Sequence, residues 1–125
     1  MDLGDIHFHD SKLIRVVELA EPHDLLFMVM YPVDWENNVF DTRVIAFRDV
    51  LNYRVDEGPF WGAATLLHAY DEGLVGDYRR VTLQTNAGTR SLCFKAVELL
   101  DPGTRAEQGV APDKGRSKQT GSLCR

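Results

Sequence analysis

Cysteine is scarce in this chain, with only Cys93 and Cys124 among 125 residues. Neither has a near neighbour of its kind. That excludes a disulfide framework, a CxxC redox pair and a thiolate zinc site. Long apolar runs are missing as well. The longest, Leu25 to Tyr31, falls well short of the ~18 residues of a membrane-spanning helix. The opening MDLGDIHFHD lacks the basic and apolar blocks of a secretory signal. Reduced thiols and no signal lead to the expectation of a cytoplasmic, bacterial-type setting without membrane association. Excess basic charge is also lacking. Lys and Arg number 14 against 19 Asp and Glu, and the pI near 5.3 speaks against a general nucleic-acid binder.

Catalytic signatures are absent too. There is no GxSxG elbow, no HExxH helix, no phosphate-cradling glycine loop and no EF-hand pattern. Ser11 follows His9 and Asp10, but neighbours on an extended chain point in opposite directions and form no triad. The expectation is a protein that is not an enzyme.

What the chain does contain is a series of short strand signals. Lys12 to Leu19 is rich in β-branched residues and is followed by a turn at Glu21 to Asp24. A short helix capped by Ser11 competes there, because Leu13, Val16, Val17 and Ala20 fall at helical spacing. Leu25 to Tyr31 is apolar throughout, as in a strand buried on both faces. Pro32 to Asn38 reads as a polar loop. Val39 to Phe47 is the next strand, Arg48-Asp49 a corner, and Leu51 to Val55 a cleanly alternating strand. Gly58-Pro59 breaks the pattern, and a weaker strand covers Ala64 to Tyr70. Asp71-Glu72-Gly73 and Gly76-Asp77 are turn-like. The strongest signal is a hairpin from Tyr78 to Leu99 around a three-residue turn, Asn86 to Gly88. Its alternation slips near Glu98, which predicts a bulge or a change of sheet.

About seven strands at this spacing, with no long helix, predict an all-β protein: a single antiparallel β-sandwich or partly open barrel over residues 1–100. Residues 101–125 are polar and read as a flexible tail. They hold five basic and three acidic side chains, so residues 1–100 hold nine basic and sixteen acidic ones, a net charge of −7. An acidic body of this kind steers cationic partners towards itself.

Three constellations are candidate sites. His7, His9 and Asp10 place two imidazoles and a carboxylate within four residues, and a divalent metal is the cofactor they could hold. A further ligand from His23 or His68 would be needed. The alternative is a polar strand entrance with Phe8 in the core. Asp34, Trp35 and Glu36, with Asn37 and Asn38, crowd acids and amides around an indole; Trp35 suits a partner anchor with an acidic rim. The alternative is a capped turn with Trp35 folded over the core edge. Asp56, Glu57 and Trp61, beside Phe60, repeat the combination. If the two loops share one end of the sandwich, they form one patch.

The segment HFHDSKLIRVVE, the apolar strand, the Trp-containing loop and VIAFRDVLNYRV together resemble a diffuse group of small bacterial β-rich proteins. Some similar families are immunity proteins of polymorphic toxin systems. His9-Asp10 and the corner Phe47-Arg48-Asp49-Val50 carry the resemblance, which covers residues 5–100. It implies a binding role and carries no catalytic residue. An immunity protein would cover a toxin, and acidic loops would suit a basic one. The leading expectation is therefore a non-enzymatic protein that binds another protein through its acidic surface. The alternatives are a metal-binding domain or metal-dependent enzyme using His7, His9 and Asp10, and a structural β module that oligomerises through an exposed edge.

Overall fold

A computed structural model describes residues 1–101. The expected flexible tail lies outside the described residues from 102 onward. A short 3-10 turn at Leu3–Asp5 precedes eight strands. These are β1 (Lys12–Leu19), β2 (Asp24–Asp34), β3 (Val39–Arg48), β4 (Leu51–Glu57), β5 (Leu66–Val75), β6 (Tyr78–Thr85), β7 (Gly88–Phe94) and β8 (Ala96–Leu100). They form two four-stranded antiparallel sheets, ordered β1-β2-β3-β8 and β4-β7-β6-β5. The architecture is the expected all-β sandwich, with β1 a strand and not the competing helix.

The facing layers interlock through alternate residues. Leu25, Phe27, Val29, Ile45, Phe47 and Val97 of the first sheet pack against Leu66, Val81, Leu83, Leu92 and Phe94 of the second. Phe47 sits at the centre, edge-to-face with Phe27 at 5.6 Å and Phe94 at 5.1 Å. Such aromatic pairs add ~0.5–1.5 kcal/mol to the area they bury. Strand β2 is apolar on both faces for a reason. Its outward Leu26 is fully buried with Val44 and Ala46, packed by Val17, Leu19, Met28 and Leu100.

Four local expectations are corrected. Among the described residues there are eight strands, because the slip near Glu98 is a change of sheet. Lys95 turns the chain from β7 to β8 and donates its backbone N–H to the Arg48 carbonyl. Strand β2 continues through Pro32 to Asp34, so the loop is shorter than Pro32 to Asn38. Strand β1 stops opposite Met30, and beyond it β2 is a ribbon edge that tolerates a residue without an N–H. Asp71 to Gly73 do not end β5. Their turn chemistry forms a bulge, with Gly73 at φ +87° and its N–H on the Asp71 carboxylate. The β6–β7 turn has two residues, Asn86 and Ala87, because Gly88 already pairs with Thr85. The Thr85 hydroxyl accepts the Ala87 and Gly88 N–H groups, both at 3.0 Å, which closes the turn tightly. Glycine is required at 88, since a Cβ would collide with the Asp56 carbonyl and lie 2.9 Å from Glu57 Cα.

The corner Phe47 to Val50 carries the chain from the first sheet to the second. Asp49 takes φ +53° there, and Val50 donates to the His23 carbonyl at 2.7 Å. Arg48 binds the buried Asp24 carboxylate at 2.8 Å and Glu98 at 3.1 Å. Burial works against the Arg48 charge, but hydrogen bonds and attraction from Asp24 and Glu98 outweigh it. Its pKa is raised.

Candidate functional site

Residues 7–13 are the hinge pin of one end of the sandwich. Lys12 bridges Thr65; Leu13 donates to the Ala64 carbonyl at 2.8 Å and Leu66 to the Ser11 carbonyl at 2.8 Å. The β2–β3 turn lies against this segment on one side, through His7, Asp10 and Trp35. The β4–β5 loop lies against it on the other, through Leu13 and Ala64. The two loops therefore share an end, separated by residues 7–13.

In the first loop, Asp34 is exposed and its carboxylate accepts from the Asn37 backbone at 3.3 Å and the Asn37 amide at 2.7 Å. This Asx turn, with Asn38 at φ +57°, sets the tip. Trp35 is 55% exposed. It does not fold over the core; its ring stands 6.3 Å from that of His7 and its indole N–H donates to Asp10 at 3.3 Å. Glu36 is exposed.

In the second loop, Trp61 is 98% exposed, beside the exposed Phe60. Asp56 faces solvent opposite Thr89. Glu57 differs from the other acids. Arg90 grips its carboxylate with two hydrogen bonds, at 2.7 and 2.8 Å, and Arg90 also reaches the Tyr53 hydroxyl at 3.0 Å. The Arg90 hydrogen bonds hold the Glu57 pKa below its ordinary value, and Glu57 in turn raises that of Arg90. Burial pushes the Tyr53 hydroxyl up. This pair lines a cleft of about 580 Å3 between β1 and the second loop, together with Ile14 and Phe60. Glu57 thus fixes the root of the Trp61 loop. Arg90 and Tyr53 escaped sequence reasoning, since strand alternation gives no sign of a contact 33 residues away.

The His7, His9 and Asp10 constellation is brought together, with Phe8 buried in the core beside it. Its rings do not converge as placed. Those of His7 and His9 are 6.5 Å apart, whereas two imidazoles on one tetrahedral zinc would bring their centres to about 5 Å. His9 Nδ1 is 2.8 Å from the Leu67 carbonyl and Nε2 3.5 Å from Asp10. Among the described residues, no group of three or more His, Cys, Asp or Glu is placed to hold a metal ion. His68 lines a neighbouring cleft together with His7 and His9, and His23 lies in the turn before β2. Cys93 is buried and free.

The chain matches no protein-family model, no curated protein and no solved structure. What stands is a small β-rich domain of sandwich type, with an exposed indole on a braced loop at one end.

Proposed function

We propose that this domain is a non-enzymatic binding protein that docks a basic protein partner on the end carrying Trp35 and Trp61. The observation that carries the reading is Trp61, 98% exposed on a loop whose root is pinned by the Glu57–Arg90 pair. An indole held out in water loses the favourable transfer free energy that burial supplies, unless a partner covers it. A fixed root lowers part of the ordering cost on association. Glu36, Asp56 and Asp34 supply negative charge around the two indoles, and the net charge of −7 over residues 1–100 favours encounter with a cationic surface. An immunity protein that covers a basic toxin in the bacterial cytoplasm is the setting such a surface would serve.

The test is a pull-down from bacterial lysate at low and high salt, with Trp61→Ala and the Glu36→Lys/Asp56→Lys pair beside the parent. The expected result is a stoichiometric basic protein whose affinity falls about 30-fold or more with Trp61→Ala, as for an anchor residue. Charge reversal should slow its association and flatten its salt dependence. A partner held equally by all three proteins, or by none, overturns the reading.

A further inference from the structure

The described residues leave four edge strands, β1 and β8 on one sheet and β4 and β5 on the other. An edge offers unpaired backbone donors and acceptors to any strand that approaches, and bulges or short length block it. Three of these edges are blocked. The register of β1 shifts between Leu13 and Arg15. That of β5 shifts twice, from Leu66 to His68 and from Asp71 to Leu74. Strand β8 is short, Ala96–Leu100. Strand β4 shifts at its start, between Leu51 and Arg54, and then runs regularly from Arg54 to Glu57. We infer that β4 pairs antiparallel with β4 of a second copy of this chain, about a two-fold axis at Val55.

The backbone is in phase for this pairing. Gly58 donates its N–H to the Ala87 carbonyl at 3.1 Å. In an antiparallel ladder, alternate residues direct their polar groups to opposite sides. Arg54, Asp56 and Gly58 therefore bond towards β7. The N–H and C=O groups of Val55 and Glu57 point to the open edge. So does the Tyr53 carbonyl, which lies opposite the Arg54 N–H in one planar peptide. An axis at Val55 sets Val55 against itself and Glu57 against Tyr53 of the second copy. Each Val55 N–H then meets the other Val55 carbonyl, and each Glu57 N–H meets a Tyr53 carbonyl.

The side chains select the same register. Glu57 and Tyr53 both turn inward to Arg90, so Arg54 and Asp56 share the outer face. Both are exposed, and among the described residues neither enters an ion pair. The axis at Val55 places Arg54 opposite Asp56 of the second copy, and symmetry repeats the pair. Opposite charges directly across two strands attract, and like charges repel. An axis at Arg54 or Asp56 would set like charges face to face. Val55, 48% exposed, is covered by its own copy. The other edges lack this match. On β1, an axis at Val16 or Val17 sets Arg15 against an apolar residue, and on β5 Asp71 and Glu72 already hold Arg79 and Arg80. Pairing of copies needs no other protein and stands apart from partner docking. In the pair Asp56 faces Arg54, and Asp34 and Glu36 remain the free acids beside Trp35.

The purified full chain is followed by sedimentation equilibrium and amide hydrogen exchange over about 1–500 μM, a range suited to an interface below the ~800 Å2 per partner of standard size. A monomer–dimer equilibrium is expected. The Val55 and Glu57 amides should exchange fast when dilute and slowly in the dimer, while those of Arg54 and Asp56, bonded to β7, stay protected throughout. Arg54→Asp should weaken the dimer about ten-fold or more, since two attractions become two repulsions. Arg54→Asp/Asp56→Arg should restore it, with the charges exchanged. If Arg54→Asp lowers the thermal midpoint, the exchange pattern of the parent decides. The inference falls if the chain stays monomeric at the top of the range, if Arg54→Asp leaves the dimer unchanged, if the double variant fails to restore it, or if the new protection appears on β1 or β5. None of these outcomes bears on partner docking, because no partner is present.

Discussion

The Glu57–Arg90 pair allows a quantitative test of how the exposed loop is braced. Arg90→Met keeps most of the side-chain volume and removes three hydrogen bonds, two to Glu57 and one to Tyr53. An exposed ion pair contributes ~0–1 kcal/mol, while breaking a fully buried one costs ~3–5 kcal/mol. The two side chains are 16% and 14% exposed, so the loss should lie between these limits, at ~2 kcal/mol, the usual contribution of a charge-assisted hydrogen bond. For a domain of this size that lowers Tm by about 8–16 °C. The sign of the pH dependence follows from Glu57, whose folded pKa is depressed below its ordinary value near 4.5. A depressed carboxylate contributes stability above its unfolded pKa and loses it as pH falls through the folded one. The gap between parent and Arg90→Met should therefore be full at pH 7 and shrink below about pH 4.5 as both states protonate. Urea denaturation of parent, Arg90→Met, Glu57→Gln and the double variant at pH 7 and pH 3 reads all of this. A loss under about 0.5 kcal/mol at pH 7, the range of ordinary surface substitutions, would refute the bracing role. A gap indifferent to pH would refute its ionic character.

Gly88→Ala should destabilise by more than ~1 kcal/mol, because the added methyl collides with the Asp56 carbonyl and must push β4 off β7; a thermal melt equal to the parent's would show that β4 shifts freely. Phe47→Ala should cost ~3–5 kcal/mol, as it removes a fully buried ring touching Phe27 and Phe94; a cost below 1.5 kcal/mol in urea denaturation would mean the core collapses around it, against the close packing inferred here.

Legibility in the sequence followed the range of the interaction. Strands β3 and β4 could be bounded within two residues, because alternation and the Arg48-Asp49 and Gly58-Pro59 breaks are local signals. The slip at Glu98 was visible for the same reason. Its destination was not, since passage from one sheet to the other depends on the backbone bond between Lys95 and Arg48. Pro32 and Gly73 read as breakers. Only the surrounding sheet decides whether such residues end a strand, sit on its edge or make a bulge.

The candidate residues divide in the same way. Asp34 and Glu36 flanking Trp35, and Asp56 near Trp61, were legible as acids beside indoles, because composition over a few residues is a local property. That Glu57 is bound to Arg90 while Asp56 faces water could not be read, since adjacent strand residues differ only in which face meets a distant partner. Nor could the bond from the His7 backbone N–H to the Tyr31 hydroxyl, 24 residues apart.

The sequence by itself determined the class of fold, since strand periodicity, turn residues and the lack of long apolar or helical runs are written within short windows. It also determined the acidic balance of the body. Only the tertiary structure decided which loops share an end, which acids are free, and which side chains surround each cleft. Those outcomes depend on sheet order and on long-range hydrogen bonds, whose partners meet only once the two sheets have packed.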